Sequence, residues 1–86
     1  MAATFTTWTH PTTGAVRVYI GSFGSTKVWA EKCAADSFGF EYTIQAKNDN
    51  RNRSELGNII NQAEELIFAA AGSRVKSFDA VLALTK

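Results

Sequence analysis

The chain has 86 residues, 45% of them apolar and 20% charged, and nine basic side chains against eight acidic ones leave a formal net charge of +1. A chain of this length holds one hydrophobic core, and its ordinary composition excludes disordered and fibrous classes. The near-zero charge excludes bulk attraction to nucleic acid or an anionic membrane, so any such binding has to come from a local patch.

Met1 to Trp8 lacks the basic segment and apolar run of an export signal, and Cys33, the one cysteine, has no internal disulfide partner. Both features fit a reducing cytoplasm. Leu66 to Gly72 is the longest weakly polar stretch, far short of the ~20 residues that cross a bilayer, so no membrane partner is expected.

Residues 4–10 are rich in threonine and aromatics and meet Pro11-Thr12-Thr13-Gly14, which predicts a strand entering a turn. In residues 15–20, Val16, Val18 and Ile20 alternate with Arg17 and Tyr19, the period-two pattern of a half-buried strand. Gly21 to Thr26 carries two glycines in six residues and is expected to be a loop. A third strand follows over 27–33 with two registers open: Val28 and Ala30 inward with Lys27, Trp29 and Glu31 outward, which is preferred, or Trp29 and Cys33 inward.

The fourth strand is expected over 38–47, with Phe40, Tyr42, Ile44 and Ala46 on one face and Glu41, Thr43 and Gln45 on the other. Short connections between the four strands suit an antiparallel meander. Asn52 followed three residues later by Glu55 forms a capping box that opens a helix over 53–71. Its stripe is Leu56, Ile59, Ile60, Ala63, Leu66, Ile67 and Ala70, and Gly57 within it marks a close approach to the sheet. Gly72 occupies the C-cap position, and a shorter helix is expected over 77–85 with Phe78, Val81 and Leu82 inward. The fold class is therefore α+β: about four antiparallel strands, a long amphipathic helix and a short C-terminal helix, in a single domain.

With one histidine, His10, and one cysteine, Cys33, the chain lacks the residues that most nucleophile and metal chemistries need. Glu64 and Glu65 are adjacent on the helix and do not face each other. A calcium loop counted from Asn48 has Arg53 where glycine belongs and Ile59 where glutamate belongs. Gly21 to Lys27 has the composition of a phosphate loop, but its spacing is wrong and a strand follows it. No catalytic residue, metal site or cofactor is expected.

Two surfaces remain. The outer sheet face gathers Arg17, Tyr19, Lys27, Trp29, Glu41, Thr43 and Gln45, a mixture that serves protein interfaces and also stacks bases and neutralises phosphates. Its competing reading is a solvated face with incidental aromatics. The polar segment before the helix sets Lys47, Arg51 and Arg53 beside a helix N-terminus, which suits a phosphate or an acidic partner. The binding residues expected are thus Arg17, Tyr19, Lys27, Trp29, Lys47, Arg51 and Arg53.

In outline, four antiparallel strands and then a helix resemble the repeat of the PUR and whirly single-strand-binding families and the PC4-type coactivator domain, a resemblance of architecture that implies single-strand binding by a dimer. The leading expectation is different: a non-catalytic inhibitor or adaptor that acts on a protein partner. Compact single-domain chains without a catalytic constellation are typical of phage and mobile-element inhibitors, the anti-CRISPR type among them. Single-stranded nucleic acid binding by a homodimer, through the outer face and the 47–53 loop, is the alternative.

Overall fold

The computed structural model describes residues 4–86; Met1, Ala2 and Ala3, part of the segment read for an export signal, lie outside them. The chain forms β1 (Thr6–Thr9), β2 (Val16–Phe23), β3 (Thr26–Lys32), β4 (Tyr42–Lys47), α1 (Arg53–Ala71) and α2 (Phe78–Ala83). The strands make one antiparallel sheet in the order β1-β2-β3-β4, a meander, so the expected α+β architecture is the one observed. No helix among the described residues is long and apolar enough to cross a membrane.

Among the described residues, one face of the sheet is covered by helices and the other is not. Val18, Ile20, Phe23, Val28, Ala30 and Tyr42 meet Ile59, Ala63 and Ile67 of α1 and Phe78 and Val81 of α2 in a single buried cluster. Burying aliphatic and aromatic side chains of this size stabilises a fold by about 1.5–3 kcal/mol each, which makes this cluster the main support of the sheet. Ile44 and Phe40, expected in the core, are half-buried at its margin, as is Val16.

The segment expected as a loop over 21–26 is mostly strand. β2 continues to Phe23 and β3 starts at Thr26, leaving a two-residue turn in which Gly24 takes φ +67°, a conformation that costs glycine little. The cause is a bulge: the register passes from Tyr19↔Trp29 to Gly21↔Val28, so Ile20 has no partner of its own. That extra residue shifts the alternation by one and brings Phe23 onto the same buried face as Val18 and Ile20.

The fourth strand begins later than expected. Instead of pairing, residues 36–40 fold into a turn in which the Asp36 carboxylate accepts the N–H groups of Phe38 (2.8 Å) and Phe40 (3.0 Å), with Gly39 at φ +86°. An aspartate bonded to its own downstream backbone competes with the strand ladder and wins here. Glu41 therefore precedes β4, and its N–H donates to the carbonyl of Lys76 (2.8 Å).

The capping box of α1 is present: Asn52 Oδ1 accepts the Glu55 N–H at 2.9 Å, and Glu55 accepts the Asn52 N–H at 3.4 Å. Gly72 is the left-handed C-cap, its N–H bonded to the carbonyl of Phe68. Two details of the helix differ from expectation. Ala70 is exposed, and a Cβ placed on Gly57 would meet nothing within 4 Å, so no close approach explains that glycine. α2 is shorter than the expected 77–85, capped by the Ser77 hydroxyl and ending at Ala83.

Candidate functional site

The open face of the sheet is built by strand alternation. The cross-strand pairs Trp8↔Arg17, Arg17↔Glu31, Tyr19↔Trp29, Trp29↔Gln45, Glu31↔Thr43 and Lys27↔Lys47 all lie on the side away from α1 and α2. Of the seven residues expected to bind, five are thereby brought together: Arg17, Tyr19, Lys27, Trp29 and Lys47. Lys47 is part of the sheet face rather than of the loop that follows it. Glu41, expected on this face, stands just before β4, where its carbonyl accepts the Cys33 N–H at 2.9 Å.

Arg17 organises the face. Its guanidinium lies 5.1 Å from the ring centre of Trp8 and 5.0 Å from that of Trp29, one indole on each neighbouring strand. Its Nε donates to the Glu31 carboxylate at 2.9 Å, and the same carboxylate oxygen accepts the Trp29 Nε1–H at 2.7 Å. Tyr19 packs at a tilt on Trp29, with ring centres 5.9 Å apart. The result is a linked row of Trp8, Arg17, Trp29 and Tyr19 whose central charge is already matched by Glu31.

Trp8 and Glu31 complete this row: the strand pattern sets Glu31 outward without pairing it to Arg17, and it does not place Trp8 on the face at all. Trp8 depends on the register of β1, which follows from the Pro11–Gly14 turn: the His10 N–H donates to the carbonyl of Ala15 (2.8 Å), which sets Trp8 opposite Arg17. Counting back through that turn was the available signal.

Beside the row, Tyr19, Trp29, Lys27 and Lys47 border an open cleft of about 410 Å³, with Asn48 and Asp49 at its end. Asn48 is fixed there by its Nδ2 group, which donates to the hydroxyls of Ser25 (2.8 Å) and Thr26 (3.0 Å) across the β2–β3 turn.

Arg51 and Arg53 are not part of this face. The Arg51 guanidinium pairs with Glu55 at 3.4 Å and lies over Gly24, while Arg53 is the exposed first residue of α1. The N-terminal N–H groups of α1 are partly occupied by the helix's own capping box. The loop and the sheet lysines are thus two separate sets of charges.

His10 and Cys33 do not meet. They follow β1 and β3 with β2 between them, two strand spacings or roughly 10 Å apart, and His10 Nδ1 accepts the N–H groups of Thr12 (3.1 Å) and Thr13 (3.2 Å). Among the described residues, no group of three or more His, Cys, Asp or Glu is close enough to hold a metal ion.

A second aromatic cluster, Phe40 and Phe68, packs against the core. Arg74 stands over Phe40 (5.6 Å) and Phe68 (5.8 Å), and Lys76 over Phe40 (5.4 Å). Below them Tyr42 is buried, which pushes its phenol up to about 12; the nearby Glu64 carboxylate adds to the rise and Arg74 opposes it. Compared with protein-family models, curated proteins and solved structures, the chain matches none of them.

Proposed function

We propose that this protein is a non-catalytic binding module, an inhibitor or adaptor that grips a protein partner with the open sheet face. The observation that carries the reading is the Trp8–Arg17–Trp29 row with Glu31 paired to its centre. Tryptophan, tyrosine and arginine are the residues that dominate binding energy at protein interfaces, and here they stand side by side on a sheet face that no helix covers. Holding them in cross-strand contact lowers the ordering cost on binding.

Single-stranded nucleic acid is favoured less by the same geometry. Arg17 already covers one face of each indole, the Trp29 N–H is given to Glu31, and the Arg17 charge is matched, so part of the stacking surface and the central charge are already engaged. The test is affinity capture from source cells after nuclease treatment, with the intact chain and with Arg17→Ala. A stoichiometric protein that is retained by the first and lost by the second supports the reading. Background alone in both captures, together with salt-sensitive binding of a labelled oligothymidylate by the intact chain, would transfer the function to nucleic acid.

A further inference from the structure

Lys27 and Lys47 are directly opposite each other on β3 and β4. Like charges in a cross-strand pair repel, and a sheet normally sets an opposite charge or a neutral side chain there. The ion pairs among the described residues are Arg17–Glu31 and Arg51–Glu55, so neither lysine has a carboxylate within ion-pair reach. Both side chains are exposed and both border the cleft beside Trp29 and Tyr19. Asp49 is the one acid lining that cleft, against Arg17, Lys27 and Lys47, and Arg17 is matched from outside it by Glu31.

We propose that this lysine pair is an anion clamp, and that the segment it takes is an acidic peptide stretch of the protein partner, with a carboxylate held between Lys27 and Lys47 and an apolar neighbour against Trp29 and Tyr19. This rests on the protein-binding reading of the same face. Charge complementarity selects the anion: Arg17, Lys27 and Lys47 line the cleft against the single acid Asp49, and the two lysines stand opposite each other on adjacent strands. The occupied indole faces select a carboxylate on a peptide over a nucleotide phosphate, because a nucleotide would need its base stacked as well.

The test is to pan a displayed library of random peptides against the intact chain and to repeat the panning on the Lys27→Gln/Lys47→Gln double variant, whose thermal melt shows that it is folded. The expected peptides combine Asp or Glu with an aromatic or aliphatic residue. As synthetic peptides they bind the intact chain, lose affinity on the order of tenfold with each single Lys→Gln change, and weaken as salt rises. Peptides that lack acidic residues yet depend on Arg17 and Trp29 would overturn the clamp and leave the protein-binding reading standing. No peptide sensitive to the two lysines overturns the clamp as well. Displacement of the selected peptides by oligothymidylate at lower concentration than by free peptide would overturn both.

Discussion

The hydroxyl of Tyr42 donates a 2.9 Å hydrogen bond to the carbonyl oxygen of Val75, which ties β4 to the connection between α1 and α2. Burial, helped by the Glu64 carboxylate, holds this phenol protonated up to about 12, above its ordinary value of 10.0. The unfolded chain loses the proton near 10, so between about 10 and 12 the folded state binds more protons and stability falls as pH rises. The contribution is complete below pH 10. In a Tyr19→Phe background, absorbance titration of the remaining tyrosine should show a midpoint well above that of free tyrosine. Tyr42→Phe should remove the alkaline loss and cost about 1 kcal/mol at neutral pH, because the Val75 carbonyl loses its donor.

Gly57 is the clearest place to stabilise the protein. It lies inside α1, and a methyl group there meets nothing within 4 Å. Gly57→Ala should raise stability by about 0.5–1 kcal/mol, since alanine loses less backbone freedom on folding and clashes with nothing. Asn52→Ala should do the reverse, costing about 1 kcal/mol by removing the N-cap acceptor of the Glu55 N–H. Chemical denaturation of the two variants, with unchanged slope, reads both effects.

Phe38 and Phe40 are two residues apart and should behave differently. Phe38 is 74% exposed on the Asp36 turn, held there through its backbone by Asp36 and by the Lys76 ammonium on its carbonyl oxygen at 2.8 Å. Phe40 packs on Phe68 and Tyr42 beneath Arg74. Phe38→Ala should change stability by under about 0.5 kcal/mol, whereas Phe40→Ala should cost about 2 kcal/mol, part of it the loss of two cation contacts. Equal losses in thermal melts would contradict this account of the turn.

These differences also mark where pattern reading stops. Strict alternation finds Val16 to Ile20 and Tyr42 to Lys47, and the three-and-four spacing with a capping box finds α1, because each is a local signal repeated several times. The bulge at Ile20 is a single event that inverts the alternation, while Gly21 and Gly24 make residues 21–26 read as a loop, so Phe23 is missed although it is buried. The Asp36 turn is equally local, and Phe40, Tyr42, Ile44 and Ala46 keep perfect alternation across its boundary, which hides where pairing begins. On the open face, alternation gathers Arg17, Tyr19, Trp29 and Lys27. It takes the register of β1 against β2 to add Trp8, and a side-chain contact to show that Glu31 matches Arg17.

Glu31 should decide how much of the open face behaves as a cationic surface. Glu31 is the carboxylate paired with Arg17; Lys27 and Lys47 share the face without an ion-pair partner among the described residues, and Arg17 is about one third exposed, so the pair is partly screened by water. Glu31→Gln should therefore cost at most about 1 kcal/mol at low salt, shrinking as salt rises, because the Arg17 guanidinium keeps its two indole contacts. The same change leaves three unmatched cations beside Trp8, Trp29 and Tyr19. Labelled oligothymidylate should then bind more tightly than to the unaltered chain at low salt, and the gain should vanish when Arg17 is also changed to alanine. If Glu31→Gln leaves oligothymidylate binding unaltered, the Arg17 charge is not what Glu31 holds in check.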